Sequence, residues 1–64
     1  MMCFAIKDAN GFYWCGLNYW DKQLRKAKLY NSIKWATEVK NDSRFRSKML
    51  RIVSVEIYEV TSDE

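Results

Sequence analysis

The clearest pattern of apolar and polar positions lies near the end of the chain, in the segment MLRIVSVEIYEV at residues 49–60. Val53, Val55 and Ile57 occupy alternate positions there, with a serine and a glutamate between them. A period of two residues is typical of a strand with one buried face. The pattern therefore predicts a strand, followed by a frayed acidic tail at residues 61–64.

Two strand-like segments near the start of the chain flank the pair Asn10-Gly11. Residues 3–8 (CFAIKD) and 12–18 (FYWCGLN) are rich in aliphatic and aromatic side chains, and Asn-Gly supplies the positive φ values that tight hairpin turns require. These segments predict a β-hairpin. Its loop has either the two residues Asn10-Gly11 or the four residues 8–11.

A loop of two residues and a loop of four residues differ by an even number, so both place the same side chains on each face of the sheet. One face is expected to carry mainly larger apolar residues, namely Phe4, Ile6, Tyr13, Cys15 and Leu17. The other is expected to carry small or charged residues and two aromatics, namely Cys3, Ala5, Lys7, Phe12, Trp14 and Gly16. Phe12 and Trp14 are thus predicted to be the more exposed aromatics. Cys3 and Cys15 are expected to be free thiols because they face opposite ways.

The segment YWDKQLRKAKLYN at residues 19–31 has apolar residues at a helical spacing, at Trp20, Leu24, Ala27 and Tyr30. This spacing predicts a short helical turn from Asp21 to about Lys28.

The pair Asn31-Ser32 is typical of a helix N-cap and predicts the main helix over residues 33 to about 41. Tyr30 is placed to pack back onto the first turn of this helix. We expect Trp20 and Trp35 to fill the seam between the helix and the sheet.

The order strand, strand, helix, strand predicts a single α+β domain over residues 1–64. The expected layout is β-β-α-β, a three-stranded antiparallel sheet with one main helix packed on one face. Because one helix covers only one face, the other face is expected to be open to solvent or to a partner. Trp14 would then either bind a partner there or cover the back of the sheet.

The composition excludes several kinds of chemistry. The 64 residues include no histidine and only two glycines and two cysteines. Histidine acid–base catalysis, a glycine-rich phosphate loop and a zinc site within one chain are therefore excluded. We expect a non-enzymatic protein with no metal and no cofactor. No segment resembles a signal peptide or a membrane span, which predicts a cytoplasmic protein without a membrane partner.

Several short patterns cover most of the chain: Phe4-x-Ile6-Lys7, Asn10-Gly11-x-Tyr13, Trp20, Lys26-Ala27-Lys28-x-Tyr30-x-Ser32, Ala36 and Val53-x-Val55-x-Ile57. Together they resemble the small proteins encoded by bacteriophages and prophages of Gram-positive bacteria. The resemblance implies a phage context, the cytoplasm of a bacterial host, and the same β-β-α-β layout. It assigns no catalytic or binding residues.

Charge is distributed unevenly along the chain. The net charge is +3, but residues 21–51 carry ten basic and three acidic side chains, and residues 52–64 carry four acids. The basic side chains form one cluster before the main helix and one after it: Lys22, Arg25, Lys26 and Lys28, then Arg44, Arg46, Lys48 and Arg51. Such clusters fit a solvated surface, an acidic protein partner or nucleic acid.

Basic side chains beside exposed aromatics favour a binding protein. We predict that the protein docks on a host protein with an acidic face, through the open sheet face and the basic segments, as an inhibitor that serves host takeover or defence evasion. A small nucleic-acid-binding protein is the alternative, and a homodimer is a further possibility. The predicted partner-binding residues are Phe12, Trp14, Lys22, Arg25, Lys26, Arg44, Arg46 and Lys48.

Overall fold

The computed structural model describes residues 1–58. Within them four strands form one antiparallel sheet in the order β3-β2-β1-β4, together with one α-helix and two 3₁₀ turns. The elements are β1 (Met2–Asp8), β2 (Tyr13–Gly16), β3 (Tyr19–Asp21), a 3₁₀ turn (Leu24–Lys26), α1 (Ile33–Lys40), a second 3₁₀ turn (Ser43–Phe45) and β4 (Leu50–Glu56).

The α+β class is confirmed, whereas the three-stranded β-β-α-β layout is wrong. Strand β3 begins at Tyr19, inside the segment from which a helical turn was expected, and only Leu24–Lys26 of that segment forms a turn of 3₁₀ helix. Residues 59–60 of the predicted last strand and the predicted acidic tail at 61–64 lie outside the described residues.

The first hairpin has a loop of three residues, not two or four. The backbone N–H of Asp8 donates to the carbonyl of Phe12 at 2.8 Å, so residues 9–11 form the loop. The Asp8 carboxylate accepts from the N–H groups of Asn10 and Phe12, both at 2.9 Å. Gly11 adopts a φ of +90°, which suits a type I turn that ends in a glycine bulge.

This loop length reverses the predicted faces of the hairpin. Lys7 pairs with Tyr13, so these two side chains share a face, and Trp14 joins Phe4 and Ile6 on the other. Trp14 is buried, with 3% of its surface exposed. The prediction that Trp14 is an exposed aromatic is therefore wrong, because a loop one residue longer or shorter turns every following side chain to the other face.

A second hairpin joins β2 to β3 through Leu17 and Asn18, whose φ values are +52° and +61°. Positive φ at both central residues is the signature of a type I′ turn, which matches the twist of the flanking strands. Gly16 precedes them with a φ of +91°, a conformation that a side chain would strain. The turn lets β3 pair with β2, and Trp20 lies directly opposite Trp14.

The segment after the first 3₁₀ turn is extended and fills a gap between β1 and β2. The N–H of Lys28 donates to the carbonyl of Trp14 at 2.9 Å. Tyr30 exchanges two backbone hydrogen bonds of 2.8 Å with Phe4. These pairings satisfy backbone groups that β2 leaves free as it diverges from β1, which explains why the predicted helix does not reach Lys28.

Helix α1 begins where it was predicted to begin. The Ser32 hydroxyl accepts a hydrogen bond from the N–H of Trp35 at 3.3 Å, and the helix ends at Lys40. Ala36 has no exposed surface, and its small side chain lets the helix approach the sheet closely. The core consists of side chains from five parts of the fold: Ile6, Trp14, Tyr30, Ala36 and Phe45.

Trp35 does not fill the seam between helix and sheet, since 52% of its surface is exposed. The prediction for Trp35 is wrong, and Tyr30 takes the expected position instead, with its ring 5.4 Å from that of Trp35. Trp20 packs against the core as predicted.

The face of the sheet opposite α1 carries Cys3 and Ala5, which are buried, and Val53 and Val55, which are half-buried. No second helix packs on β1 or β4 among residues 1–58. Both thiols are free, as predicted. They were expected to be free because they would lie on opposite faces of the sheet. That reason was wrong, since the observed register places Cys3 and Cys15 on the same face.

Candidate functional site

A groove of about 410 Å³ opens between the β2–β3 turn and helix α1. We call it the turn–helix groove. Its lining includes Trp14 and Tyr30, which are almost fully buried and so form its floor. Both side chains are held from below by the core, and Tyr30 is fixed further by its backbone pairing with Phe4. The floor is therefore rigid and apolar.

The walls of the groove carry apolar side chains that solvent reaches. Leu17, on the β2–β3 turn, is 98% exposed. Trp35 and Val39 lie one helical turn apart on α1 and form the opposite wall. The same helix buries Ala36 in the core, and Trp35 and Val39, on either side of it in the sequence, line the groove.

Two cations complete the lining. Lys28 is exposed, and its Cδ passes 3.6 Å from the position that a Cβ on Gly16 would take. The guanidinium of Arg44 lies 5.5 Å from the centre of the Trp14 ring, and its Nε is 3.4 Å from an oxygen of Asp42. The groove thus combines an apolar floor with positive charge, a combination that suits a ligand with both apolar and anionic groups.

An aromatic cluster lies beside the groove. Trp14 and Trp20 have ring centres 5.2 Å apart, and Phe45 lies 5.0 Å from Trp14 and 5.8 Å from Trp20. Cations cover these rings: the Lys48 ammonium lies 4.7 Å from the centre of the Trp20 ring, and Arg44 lies over Trp14 and Phe45. Each such contact contributes roughly 0.5–1 kcal/mol at an exposed site.

The eight predicted binding residues do not form one surface. Only Trp14 and Arg44 line the turn–helix groove, and Trp14 does so as part of its floor. Arg46 and Lys48 line a second groove of about 400 Å³, which lies beyond the end of α1. The other four lie near the first 3₁₀ turn and the first hairpin: Phe12, Lys22, Arg25 and Lys26.

Local contacts hold these last four residues. The Lys22 ammonium lies 5.3 Å from the centre of the Phe12 ring. Arg25 donates to the side chain of Gln23 at 2.7 Å, and Lys26 lies 3.8 Å from the carboxylate of Asp21. Several cations are therefore already engaged with groups of their own chain.

The acidic side chains of residues 1–58 are few, and most of them have local structural roles. Residues 1–58 contain all eleven basic side chains but only five of the eight acids, since Glu59, Asp63 and Glu64 follow them. Three of the five acids accept hydrogen bonds from backbone N–H groups at turns: Asp8, Asp21 and Asp42. Acids used in this way shape the chain locally, and within residues 1–58 only two ion pairs form.

The tyrosine and the cysteine that line the groove, Tyr30 and Cys15, favour the neutral state. Burial raises the pKa of the Tyr30 phenol above its usual value of 10.0, and burial, with the nearby Asp21 carboxylate, raises the pKa of the Cys15 thiol above 9.0. A hydrogen bond to the Asp21 carboxylate raises the pKa of Tyr19, while the backbone N–H of Gln23 and the Tyr19 hydroxyl lower the pKa of Asp21. At neutral pH the charge in the groove therefore comes from its cations.

Alkaline pH is expected to destabilise the protein. When folding raises the pKa of a group, its contribution to stability is fully present at pH values below its pKa in the unfolded chain. That contribution is lost as the pH rises through its pKa in the folded protein. For Tyr30 the loss should begin near pH 10. Thermal unfolding followed by circular dichroism at pH 8 and pH 10.5 should show a lower Tm at pH 10.5, and Tyr30→Phe should reduce the difference. An equal loss in Tyr30→Phe would contradict the assignment to Tyr30.

Leu17, Lys28 and Val39 were not predicted as parts of the site, and Trp35 was predicted to lie in the core. Lys28 was recognised as a member of a basic cluster, but its position beside Gly16 depends on the extended segment that fills the sheet. A signal for the first loop was present: Asp8-Ala9-Asn10-Gly11 has aspartate first and glycine fourth, which favours a type I turn and the three-residue loop.

Among residues 1–58 no group of histidine, cysteine, aspartate or glutamate side chains is arranged to hold a metal ion. In the same part of the chain, no helix has the length and apolar character needed to cross a membrane. Comparisons with protein-family models, curated proteins and solved structures found no match to this chain.

Proposed function

We propose that the protein is a non-enzymatic binding module that docks on an acidic protein surface through the turn–helix groove. The observation that carries this proposal is the exposed Trp35 in a groove whose charged lining, within residues 1–58, consists of Lys28 and Arg44. Tryptophan and arginine are the residue types that most often dominate the energy of protein interfaces. Cations beside them select a partner of negative potential and accelerate its association.

The proposed docking surface lies on the helix side of the molecule and not on the open sheet face. The open face was expected to present Phe12 and Trp14, but Trp14 is buried among Ile6 and the aromatic cluster. The phage context and the role in host takeover or defence evasion rest on the sequence resemblance alone. They stay predictions.

Nucleic acid is the less favoured partner because of the positions of the aromatic rings. Binding of single strands uses ring faces on which bases stack. Here Lys48 covers Trp20, Lys22 covers Phe12, and Arg44 covers Trp14. A base would have to displace these cations before it could stack on any of the three rings, which leaves Trp35 as the one tryptophan that carries no cation of residues 1–58.

Charge reversal at Lys28 is expected to weaken partner binding at least tenfold, equivalent to about 1.4 kcal/mol. Lys28→Glu places a carboxylate on the groove, where it repels an acidic partner. The matched control is Lys34→Glu, since Lys34 is an exposed lysine of α1 outside the groove lining. Immobilised wild type and both variants are compared in capture from nuclease-treated bacterial lysate, with quantitative mass spectrometry as the readout.

The proposal is supported if wild type and Lys34→Glu capture an acidic protein that Lys28→Glu does not capture. The amount captured should also fall as the salt concentration rises. If Lys28→Glu and Lys34→Glu capture the same proteins, the proposed function is contradicted. Fluorescence polarisation with random single- and double-stranded oligonucleotides provides the second arm. Binding tighter than about 100 μM at physiological salt that Lys28→Glu abolishes would assign the groove to nucleic acid.

A further inference from the structure

Leu17 combines two features that folding does not favour. Its φ of +52° lies in the left-handed region, where residues other than glycine, asparagine and aspartate are uncommon. Its side chain is 98% exposed and so contributes almost nothing to the core. Backbone strain of this kind occurs most often at binding and active sites.

The turn itself does not require a leucine. A type I′ turn favours asparagine or glycine at its central positions, and Asn18 already meets this preference at the second of them. The chain therefore holds a strained and exposed aliphatic side chain at a central position of this turn, where it lines the groove. Its conformation points to a contact made outside the molecule.

We infer that Leu17 and Trp35 form an apolar clamp that takes one large apolar side chain of an acidic peptide segment in the partner. This inference rests on the proposed function and adds the chemistry of the segment. Leu17 and Trp35 stand on opposite walls above the floor formed by Trp14 and Tyr30. Lys28 and Arg44 line the same groove, so carboxylates that flank the inserted side chain meet positive charge.

The size of the groove fits this occupant. A volume of about 410 Å³ lies within the roughly 300–1,000 Å³ of ordinary ligand sites. It is large enough for one aromatic side chain and its adjoining backbone. Residues 1–58 of a second copy are a poor occupant because three of their five acids, Asp8, Asp21 and Asp42, already accept backbone hydrogen bonds.

The test uses the full chain and three fluorescein-labelled 12-residue peptides that differ in defined ways. One has a central phenylalanine flanked by aspartate and glutamate, the second has alanine at the centre, and the third keeps phenylalanine but has lysine flanks. Fluorescence polarisation should show the acidic phenylalanine peptide binding at least tenfold more tightly than either of the others. Leu17→Asn and Trp35→Ala should each remove the preference for phenylalanine.

Leu17→Asn also separates a binding role from a structural one. Asparagine accepts the positive φ more readily than leucine, so the variant should unfold at a Tm about 2–6 °C above that of wild type while it binds more weakly. A lower Tm together with weaker binding would mean that Leu17 serves the fold, and would overturn the inference.

Other outcomes distinguish failure of the clamp from failure of the proposed function. Equal binding of the phenylalanine and alanine peptides would overturn the clamp and leave acidic recognition standing. Tighter binding of the lysine-flanked peptide would overturn the proposed charge of the partner. Absence of binding by all three up to 1 mM would overturn the clamp, with the Lys28→Glu comparison still deciding the proposed function.

The chain's own acidic end provides the last control. A labelled peptide of sequence EIYEVTSDE, residues 56–64, carries both apolar and acidic side chains. If it binds the groove more tightly than the acidic phenylalanine peptide, or if light scattering shows a dimer that Leu17→Asn abolishes, the occupant is this chain itself. Either result would overturn the assignment to a separate partner.

Discussion

Trp14→Ala is expected to unfold the protein under conditions in which Trp35→Ala leaves it folded. Removing a fully buried tryptophan side chain costs about 3–5 kcal/mol, because burial is lost and a cavity remains. At 0.05–0.15 kcal/mol per residue, the whole domain is stable by roughly 3–10 kcal/mol. The substitution at Trp14 therefore removes much or all of the stability.

The contacts of Trp14 make this site the centre of the fold. Its ring packs against Trp20 and Phe45 at 5.2 and 5.0 Å, and it belongs to the same core as Ile6 and Tyr30. Trp35, by contrast, is 52% exposed and has one aromatic neighbour, Tyr30. Truncation of Trp35 therefore removes much less buried surface than truncation of Trp14.

Urea unfolding followed by far-ultraviolet circular dichroism measures the effect. Trp14→Ala should be unfolded or close to its transition midpoint without denaturant, while Trp35→Ala should keep a transition near that of wild type. If Trp14→Ala and Trp35→Ala lost the same stability, burial of Trp14 in the core would be contradicted. The pair also tests the exposed position of Trp35 on which the proposed groove depends.

Phe45→Ala is expected to have the second largest effect, a loss of about 3 kcal/mol. Phe45 lies in the second 3₁₀ turn and is 5% exposed, because its ring closes the aromatic cluster from the side of the loop. The turn is fixed by Asp42, whose carboxylate accepts from the N–H of Arg44 at 3.0 Å. Loss of the ring removes the surface on which this segment rests.

Met49→Ala is the matched control for Phe45→Ala, since Met49 lies a few residues further along the same connection and is 81% exposed. We expect its unfolding midpoint to stay close to that of wild type, and that of Phe45→Ala to fall strongly. Near-ultraviolet circular dichroism should show a loss of the tryptophan signal in Phe45→Ala alone. Equal midpoints for the two variants would indicate that residues 43–48 do not contribute to the core.

The two predictions bear on function because Arg44 depends on both rings. Its guanidinium lies 5.5 Å from the centre of Trp14 and 5.3 Å from that of Phe45. The aromatic cluster therefore holds in place one of the two cations that line the turn–helix groove. Variants of the core are unsuitable as binding controls, which is why binding is tested through Leu17, Lys28 and Trp35.

The candidate site could be predicted only in part from the sequence. The basic clusters and the aromatic residues were visible, and Arg44 does line the groove. Trp14 was predicted to be exposed and Trp35 to be buried, whereas the structure shows the reverse. The face on which Trp14 lies depends on the length of one loop. Leu17 carried no signal, since the strain that marks it exists only once the turn has formed.

Local patterns in the sequence determined the strand at Leu50–Glu56, the existence of the first hairpin, the Ser32 cap and the α+β class. Each follows from residues close together in the chain, whose periodicity or hydrogen bonding has a short range. The tertiary structure alone decided the face on which Trp14 lies, the pairing of β3, and the extended segment that pairs Tyr30 with Phe4. These features depend on pairing register and on competition among distant backbone partners, and a change of one residue in a loop is enough to alter them.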